Sequence, residues 1–204
     1  MKEYSTVITL YKEIRKLGRP IDKYTLTVLM NCFCQLSRVD FAFTILGIFF
    51  KCGYPAGVAT FNTLINGYVL EGKIGDARKL FNTILANGFK PNVRLYTTMI
   101  SGLCMETLLD EAGELLLQME GDGCPPDDVT FNVVVRAFLK RGDKHKVKIL
   151  LQERIDRNFK LDVSTMSMVV ELLTVEGEDA DFLKMIQSLV SKKDSSATSK
   201  SSRE

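Results

Sequence analysis

The chain has 204 residues, a formal net charge of +2, and 46% of its residues are apolar. This near neutrality excludes a strongly basic character of the whole chain, so the total charge gives no argument for a polyanionic partner. The longest uncharged apolar run, 41–50, is too short to span a bilayer and fits a core helix instead.

The five cysteines are odd in number and scattered through predicted helices and turns, and His145 is the single histidine. This pattern predicts reduced, buried or half-buried thiols in a reducing compartment. It provides neither a zinc-ligand cluster nor a cysteine–histidine pair, and the sequence contains no phosphate-cradling glycine loop. We therefore expect no enzymatic activity, no cofactor and no metal.

The predicted helices follow one another in pairs. A helix over 4–17 comes first, and the later pairs are 25–36 with 39–51, 60–71 with 74–87, 95–106 with 109–120, and 130–141 with 144–157. A degenerate unit follows, in which acidic residues replace the usual turn residues (Glu176, Glu178, Asp179 and Asp181). We interpret these residues as a solvated cap and not as a metal site. The Ser- and Lys-rich end is predicted to be disordered.

The pairs recur with a period of 35 residues. Four columns keep this spacing: Gly18, Gly53, Gly88 and Gly123; Leu26, Phe61, Tyr96, Phe131 and Met166; Leu29, Leu64, Met99, Val134 and Val169; Ala42, Ala77, Ala112 and Val147. Independent columns in one phase indicate an internal repeat, and a hairpin of this size cannot bury its apolar face alone. The sequence therefore predicts an all-α solenoid of stacked 35-residue helical hairpins.

In this phase the chain divides into seven parts: a partial repeat with only a second helix (1–22), four full repeats (23–57, 58–92, 93–127 and 128–162), a degenerate capping repeat (163–190) and a disordered tail (191–204). Met1 falls inside a hairpin, just ahead of its second helix. We therefore expect a fragment or a truncated member of a longer family.

The repeats resemble a known family. The stretches VATFNTLI at 58–65 and GFKPN at 88–92 resemble pentatricopeptide repeats of the P type, and 24–27, 31–34 and 39–42 are similar to the fertility-restorer-like group of plants within it. The resemblance runs from the first residues to about residue 189, and the period of 35 instead of 34 separates it from tetratricopeptide repeats. It implies a right-handed superhelix whose first helices line a concave surface that binds single-stranded RNA.

The resemblance also implies which side chains read the bases. In such arrays one repeat reads about one base, and the deciding residues are the fifth and the last of each repeat. The four pairs are Thr27 with Gly57, Asn62 with Asn92, Thr97 with Asp127, and Asn132 with Asp162. From their donors and acceptors we expect, in order, no preference, a pyrimidine, guanine and uracil.

Two further sets of contacts follow from the same resemblance. The second residue of each repeat is expected to stack against a base, which assigns Tyr24, Ala59, Arg94, Val129 and Ser164 to this role. A lysine late in the first helix is expected to face the phosphates, and only Lys140, with Arg141 beside it, matches that column. We therefore expect a small salt dependence and weak binding.

Five of these residues also have a structural alternative. Asn62 and Asn132 lie near helix starts, where such side chains often bond to the backbone instead of to a ligand. Asp127 and Asp162 precede helices, where carboxylates are favoured by the helix dipole. For Tyr24, the alternative to base stacking is a place as an aromatic side chain in the core. The recurrence of the two asparagines and the two aspartates in the columns of the family favours base reading for these four residues, while both interpretations of Tyr24 stay open.

The resulting functional hypothesis is an RNA-binding protein that acts in organellar RNA processing or stability. The resemblance implies a mitochondrial location, with the plastid and the cytoplasm as alternatives, although no presequence is visible. The expected partners are single-stranded RNA and other RNA-processing proteins, with no membrane and no DNA. Two alternatives stay open: a scaffold that holds a peptide or helix, and a truncated product with little activity of its own.

Overall fold

The computed structural model describes residues 22–157 and 159–175, together with the isolated residues 6, 9, 12, 13 and 16. Most of the predicted partial repeat (1–22), the acidic residues of 176–181, the end of the capping repeat and the tail 191–204 lie outside the described residues. The described ranges contain no strand. Their helices are α1 (Lys23–Gln35), α2 (Val39–Lys51), α3 (Val58–Leu70), α4 (Ile74–Ala86), α5 (Val93–Met105), α6 (Leu109–Gly121), α7 (Asp128–Arg141), α8 (Lys144–Arg157) and α9 (Val163–Val175).

The odd-numbered helices are the first helices of the repeats, and they begin 35 residues apart. The first four of them, α1, α3, α5 and α7, each begin two residues earlier than the sequence predicts, because the N-cap is the last residue of the preceding repeat. In α5, for example, the side chain of Asn92 accepts a hydrogen bond from the N–H of Leu95. The second residue of each repeat therefore belongs to the first helical turn.

The turns between helices require left-handed backbone at fixed places. Between successive repeats this residue is Gly53, Gly88 or Gly123, with φ of +77°, +77° and +74°. The glycine column of the sequence is thus explained at these three positions, since only glycine adopts this conformation without strain.

The chain forms two compact units, 1–126 and 127–204. In the first unit, α1 packs against α3 and α3 against α5, while α2, α4 and α6 each pack on the first helix of their own hairpin. In the second unit, α7 packs against both α8 and α9. The architecture is therefore all-α, with hairpins stacked as in a solenoid.

The predicted apolar columns form the core. Leu29, Leu64 and Met99 are buried in the first unit, as are Val134 and Val169 in the second. The small column of the second helices is also buried (Ala42, Ala77, Ala112 and Val147). Burial of these repeated positions supplies most of the driving force for stacking.

Two glycines allow adjacent first helices to approach closely. A Cβ at Gly67 in α3 would lie 2.6 Å from the Sγ of Cys34 in α1, and a Cβ at Gly102 in α5 would lie 2.7 Å from Cγ2 of Val69 in α3. The two glycines are 35 residues apart and make equivalent contacts. The distance between neighbouring first helices in this unit therefore depends on a missing side chain.

None of the helices that the structure describes combines the length and the hydrophobicity needed to cross a membrane.

Candidate nucleic-acid interface

Within each unit the first helices carry a solvent-accessible stripe. Its members are the second, sixth, ninth and thirteenth residues of each repeat, a spacing that places them on one side of an α-helix. We call this stripe the first-helix face. In the first unit it consists of Tyr24, Val28, Asn31 and Gln35; Ala59, Thr63, Asn66 and Leu70; Arg94, Thr98, Ser101 and Met105, none of which is buried. In the second unit α7 contributes Val129, Val133, Arg136 and Lys140, of which Val133 and Arg136 are half-buried.

Carboxylates are absent from the first helices of the first unit. Helices α1, α3 and α5 contain no Asp or Glu. By contrast, the single helix α6 carries four carboxylates: Asp110, Glu111, Glu114 and Glu120. The first-helix face of this unit therefore carries one cation, Arg94, and no anion. A surface with this distribution can approach a polyanion without charge repulsion, even though the chain as a whole is nearly neutral.

The side chains predicted to stack on bases are all accessible. Ala59, Arg94 and Ser164 are exposed, and the exposed fractions of Tyr24 and Val129 are 70% and 60%. The alternative of Tyr24 as a core residue is therefore wrong. Its ring lies 5.1 Å below the ammonium of Lys23 and leaves an aromatic surface open to solvent.

The two threonines at the fifth position bond to their own helices. The Oγ1 atoms of Thr27 and Thr97 donate to the carbonyls of Lys23 and Val93, at 2.8 and 2.7 Å. Both side chains are half-buried. Each hydroxyl oxygen remains chemically able to accept a hydrogen bond while its proton is directed to the backbone.

The two asparagines at the fifth position differ from each other. Asn132 is 3% exposed, and its Nδ2 donates to the carbonyls of Asp128 and Lys160, at 2.6 and 2.8 Å. Asn62 is 7% exposed, and its Oδ1 is buried without a hydrogen-bond partner among the described residues. Asn132 thus holds the segment before α9 in place, while Asn62 keeps an unused acceptor.

The residues that end the repeats are helix N-caps. Gly57 has no side chain to offer, and Asn92 accepts from the N–H of Leu95 at 2.9 Å. Asp127 accepts through Oδ1 from both the N–H and the hydroxyl of Thr130, each at 2.8 Å. The capping alternative is therefore confirmed for Asp127, and Asn92 is also a cap, which the sequence analysis did not predict. In both residues the cap occupies only one polar atom of the side chain.

Asp162, the last residue of its repeat, is engaged through both oxygens. Oδ1 accepts from the N–H of Thr165 at 2.7 Å, and Oδ2 accepts from Nη1 of Arg136 at 2.7 Å. The Thr165 amide, together with the Arg136 guanidinium, lowers the pKa of Asp162 below its ordinary value, so this carboxyl is ionised at neutral pH.

The structure brings one predicted pair into direct contact. Oδ1 of Asn132 accepts a hydrogen bond from the backbone N–H of Asp162 at 3.0 Å. Thr97 belongs to the first unit and Asp127 to the second. The assignment of the pairs to bases stays a prediction.

The predicted phosphate contacts are exposed but few. Lys140 and Arg141 lie in the last turn of α7, and both are exposed. In the three repeats of the first unit, the positions equivalent to Lys140 are occupied by Gln35, Leu70 and Met105, none of which is charged. Met105 is 62% exposed. Sequence reasoning missed one further cation of the first-helix face, Arg136. It lies at the ninth position of its repeat, between the predicted stacking and phosphate columns.

The part of the chain that the structure describes contains no group of acidic, cysteine and histidine side chains that could hold a metal ion. The stacked hairpins and the open first-helix face define a helical-repeat solenoid of the kind that presents an extended binding surface. Models of the PPR repeat family match residues 56–105 and 91–140, and a PPR repeat model matches 24–54, together more than half of the chain. The chain belongs to the pentatricopeptide repeat family.

Two sequence relatives are mitochondrial pentatricopeptide repeat-containing proteins of Arabidopsis thaliana. They are 40% and 38% identical to this chain over 47 residues, which is 23% of this chain and 9% of each relative. The matched stretch thus spans about a tenth of the length of these relatives. The P type and the restorer-like subgroup stay predictions.

Solved structures share the fold. PPR10, a maize protein, in complex with an 18-nt psaJ RNA element matches with a TM-score of 0.73 at 22% identity, over 80% of this chain and 24% of that chain. The PPR domain of protein-only RNase P 1 of Arabidopsis thaliana, in complex with tRNA, matches with a TM-score of 0.61 at 22% identity, over 82% and 88% of the two chains. Both likenesses concern the fold alone.

Proposed function

We propose that this chain binds single-stranded RNA along the first-helix face, with about one base for each full repeat. The observation that carries the proposal is the absence of carboxylates from α1, α3 and α5, while α6 in the same unit is acidic. Nothing in the packing of the first helices requires this separation, because the face is open to solvent. A phosphate backbone, in contrast, would be repelled by carboxylates there.

The proposed reading of bases uses the polar atoms that capping leaves available. Asp127 keeps Oδ2 as an acceptor and Asn92 keeps Nδ2 as a donor, because each cap uses only one atom of the side chain. The free Nδ2 of Asn92 supports a pyrimidine at the second full repeat. At the third full repeat, guanine stays the expectation from the resemblance, with Thr97 as the residue to test. Gly57 offers no side chain, so the first full repeat accepts any base. Tyr24, Arg94 and Val129 provide the exposed surfaces for stacking.

The biological role that we propose is the processing or stability of organellar transcripts, most simply in mitochondria. The names of the two Arabidopsis relatives as mitochondrial proteins support this location, and the RNA complexes of PPR10 and of the RNase P domain support the type of ligand. The chain would act by occupying RNA and by working with other RNA-processing proteins. We propose no catalytic step, since the sequence offers no group of residues suited to one.

The face itself is tested by placing a carboxylate on it. Asn66→Glu introduces a negative charge on the first-helix face, whereas Asn82→Glu introduces the same charge on α4. In fluorescence anisotropy with a short labelled RNA at moderate salt, we expect Asn66→Glu to weaken binding several-fold and Asn82→Glu to change it little. Equal effects of the two variants would show that RNA does not bind this face.

Base reading is tested by a second matched pair. Thr97 and Thr83 make the same hydroxyl-to-backbone bond, at 2.7 Å in both cases, but Thr83 lies on α4. An RNA with pyrimidine-guanine in the predicted place should bind better than a scrambled RNA. Thr97→Ala should remove that difference, and Thr83→Ala should keep it. If RNA binding is undetectable and pull-downs give a partner that resists ribonuclease, the protein-binding scaffold replaces this proposal.

A further inference from the structure

A cavity of about 180 Å³ lies in the first unit between α4, α5 and α6. Its inner wall includes Phe81, Met99 and Leu103, which are themselves buried. None of the residues that line it belongs to the first-helix face. A cavity of about 150 Å³ can hold a benzene ring, so this one has room for a single side chain of a partner molecule.

The cavity is present because an aromatic pair of the preceding repeat has no equivalent here. In that repeat, Phe43 of α2 and Tyr68 of α3 place their ring centroids 5.6 Å apart. The residues 35 positions later are Arg78 and Leu103, and both line the cavity. The guanidinium of Arg78 forms an ion pair with Glu111 of α6. Space that two rings fill in one pair of hairpins is thus left open in the next.

The residues that line the cavity carry an excess of negative charge. Arg78 and Glu111 neutralise each other in their ion pair. Glu114 also lines the cavity, is exposed, and has no hydrogen bond or ion pair within the part of the chain that the structure describes. In the preceding repeat the equivalent residue is Lys79, which pairs with Asp76. The unpaired carboxylate therefore distinguishes this cavity from its repeat equivalent.

An arginine side chain matches both the apolar wall and the carboxylate. Its apolar stem would contact Met99 and Leu103, while its guanidinium would donate to Glu114. Asn82 and Gln118 also line the cavity and offer amide oxygens as further acceptors. A lysine would keep the charge without the planar set of donors. A phosphate group would be repelled by the carboxylate, so RNA is not a suitable occupant.

We propose that this cavity is a docking site for a partner protein and receives one arginine side chain from a basic segment of that partner. The other carboxylates of α6 extend the attraction beyond the cavity, because a basic segment that crosses this helix also meets Asp110 and Glu120. The inference goes beyond the proposed function, since RNA would occupy the first-helix face and the partner protein the space between α4 and α6.

The probe is a short capped peptide of glycine and serine with a central arginine and one lysine on each side. It is titrated into the complete chain while NMR follows the ε-methyl resonance of Met99, a group at the wall of the cavity. We expect a saturable shift of this resonance. The same peptide with citrulline at the centre has nearly the shape of arginine without its charge, and it should bind several-fold more weakly. A central lysine should also weaken binding.

Variants of the chain test the same contact from the other side. Glu114→Gln removes the charge at the cavity and should weaken the arginine peptide to the level of the citrulline peptide. Asp110→Asn is the matched control, because it removes an equal charge from the same helix outside the cavity and should change binding little. Asn82→Glu adds a second carboxylate to the lining and should tighten binding several-fold.

A double variant tests whether the space itself is needed. Arg78→Phe together with Leu103→Tyr transfers the aromatic pair of the preceding repeat and should abolish binding by filling the cavity. Circular dichroism shows whether this variant is folded, and if it is not, Glu114→Gln against Asp110→Asn decides.

The proposal is overturned if the arginine peptide leaves the Met99 resonance in place, or if the citrulline peptide binds equally well. It is also overturned if Glu114→Gln and Asp110→Asn weaken binding alike, since the attraction would then belong to the acidic helix as a whole. Displacement of the peptide by a short RNA would overturn it too, because the cavity would then be part of an RNA-binding surface. A chain that binds the peptide but no RNA would contradict the proposed function alone.

Discussion

The carboxylate of Glu71 accepts a hydrogen bond from the backbone N–H of Val39, with 2.6 Å between Oε1 and N. Glu71 follows the last residue of α3, and Val39 is the first residue of α2, which has no side-chain cap from its own N-cap residue Arg38. The cap of a second helix is therefore supplied by the next repeat. This contact joins two adjacent hairpins and stabilises their stacking as well as the helix.

Removal of this cross-repeat cap should destabilise the first unit. We expect Glu71→Ala to lower the free energy of unfolding by about 1–2 kcal/mol, because the N–H of Val39 loses its partner and the Glu71 side chain is only 8% exposed. Urea denaturation followed by circular dichroism measures the change. Glu106 is the control, since it occupies the equivalent position after α5 but is exposed. A Glu106→Ala variant as destabilised as Glu71→Ala would contradict the capping role.

Alanine should have opposite effects at different helical glycines. At Gly67 and Gly102 the new Cβ would meet side chains of the preceding repeat, and we expect a loss of about 1–3 kcal/mol in the free energy of unfolding from overpacking. At Gly75 and Gly113 a Cβ would meet nothing within 4 Å. There alanine should stabilise by about 0.5–1 kcal/mol through helix propensity. Melting temperatures of the four variants give the sign directly. A gain at Gly67 or Gly102 would show that the first helices can separate at no cost.

The sequence predicts the repeated core because that core depends on periodicity. Leu29, Leu64 and Met99 are buried as expected, since equivalent positions of stacked hairpins face equivalent neighbours. The role of Gly67 and Gly102 was open to detection, because the two glycines also recur at 35 residues. That these two positions must be glycine depends on the distance between neighbouring first helices, and the sequence pattern does not contain that distance.

The polar contacts are less accessible to sequence reasoning. Asp162 lies 26 residues from Arg136, and Glu71 lies 32 residues from Val39, so each contact depends on how neighbouring hairpins meet. The predicted first helices begin two residues too late, because the residues that end the repeats act as their N-caps. One thiol also departs from expectation, since Cys52 is exposed.

The two asparagines at the fifth repeat position should differ in their contribution to stability. Asn132→Ala removes three hydrogen bonds and leaves the N–H of Asp162 without its acceptor, so we expect a loss of about 2–4 kcal/mol. Asn62→Ala removes an amide whose Oδ1 has no partner among the described residues, and the loss should be about 1–2 kcal/mol smaller. The midpoints of urea denaturation measure both losses, provided that the dependence of the free energy of unfolding on urea concentration stays the same in the variants. Similar losses would mean that Asn62 has a structural role equal to that of Asn132.

The cysteines should react in an order set by burial. Burial raises the pKa of Cys34 to about 12 and that of Cys104 to about 11, because the thiolate would lose its hydration. The reactive thiolate is thus nearly absent at both positions at pH 8, whereas Cys52 is exposed. With iodoacetamide at pH 8 and mass spectrometry of the peptides, we expect Cys52 to be labelled first and Cys34 last. In urea the difference should vanish, because unfolded thiols share one ordinary pKa. Labelling of Cys34 at the rate of Cys52 in native buffer would show that α1 and α3 do not form the packed pair described above.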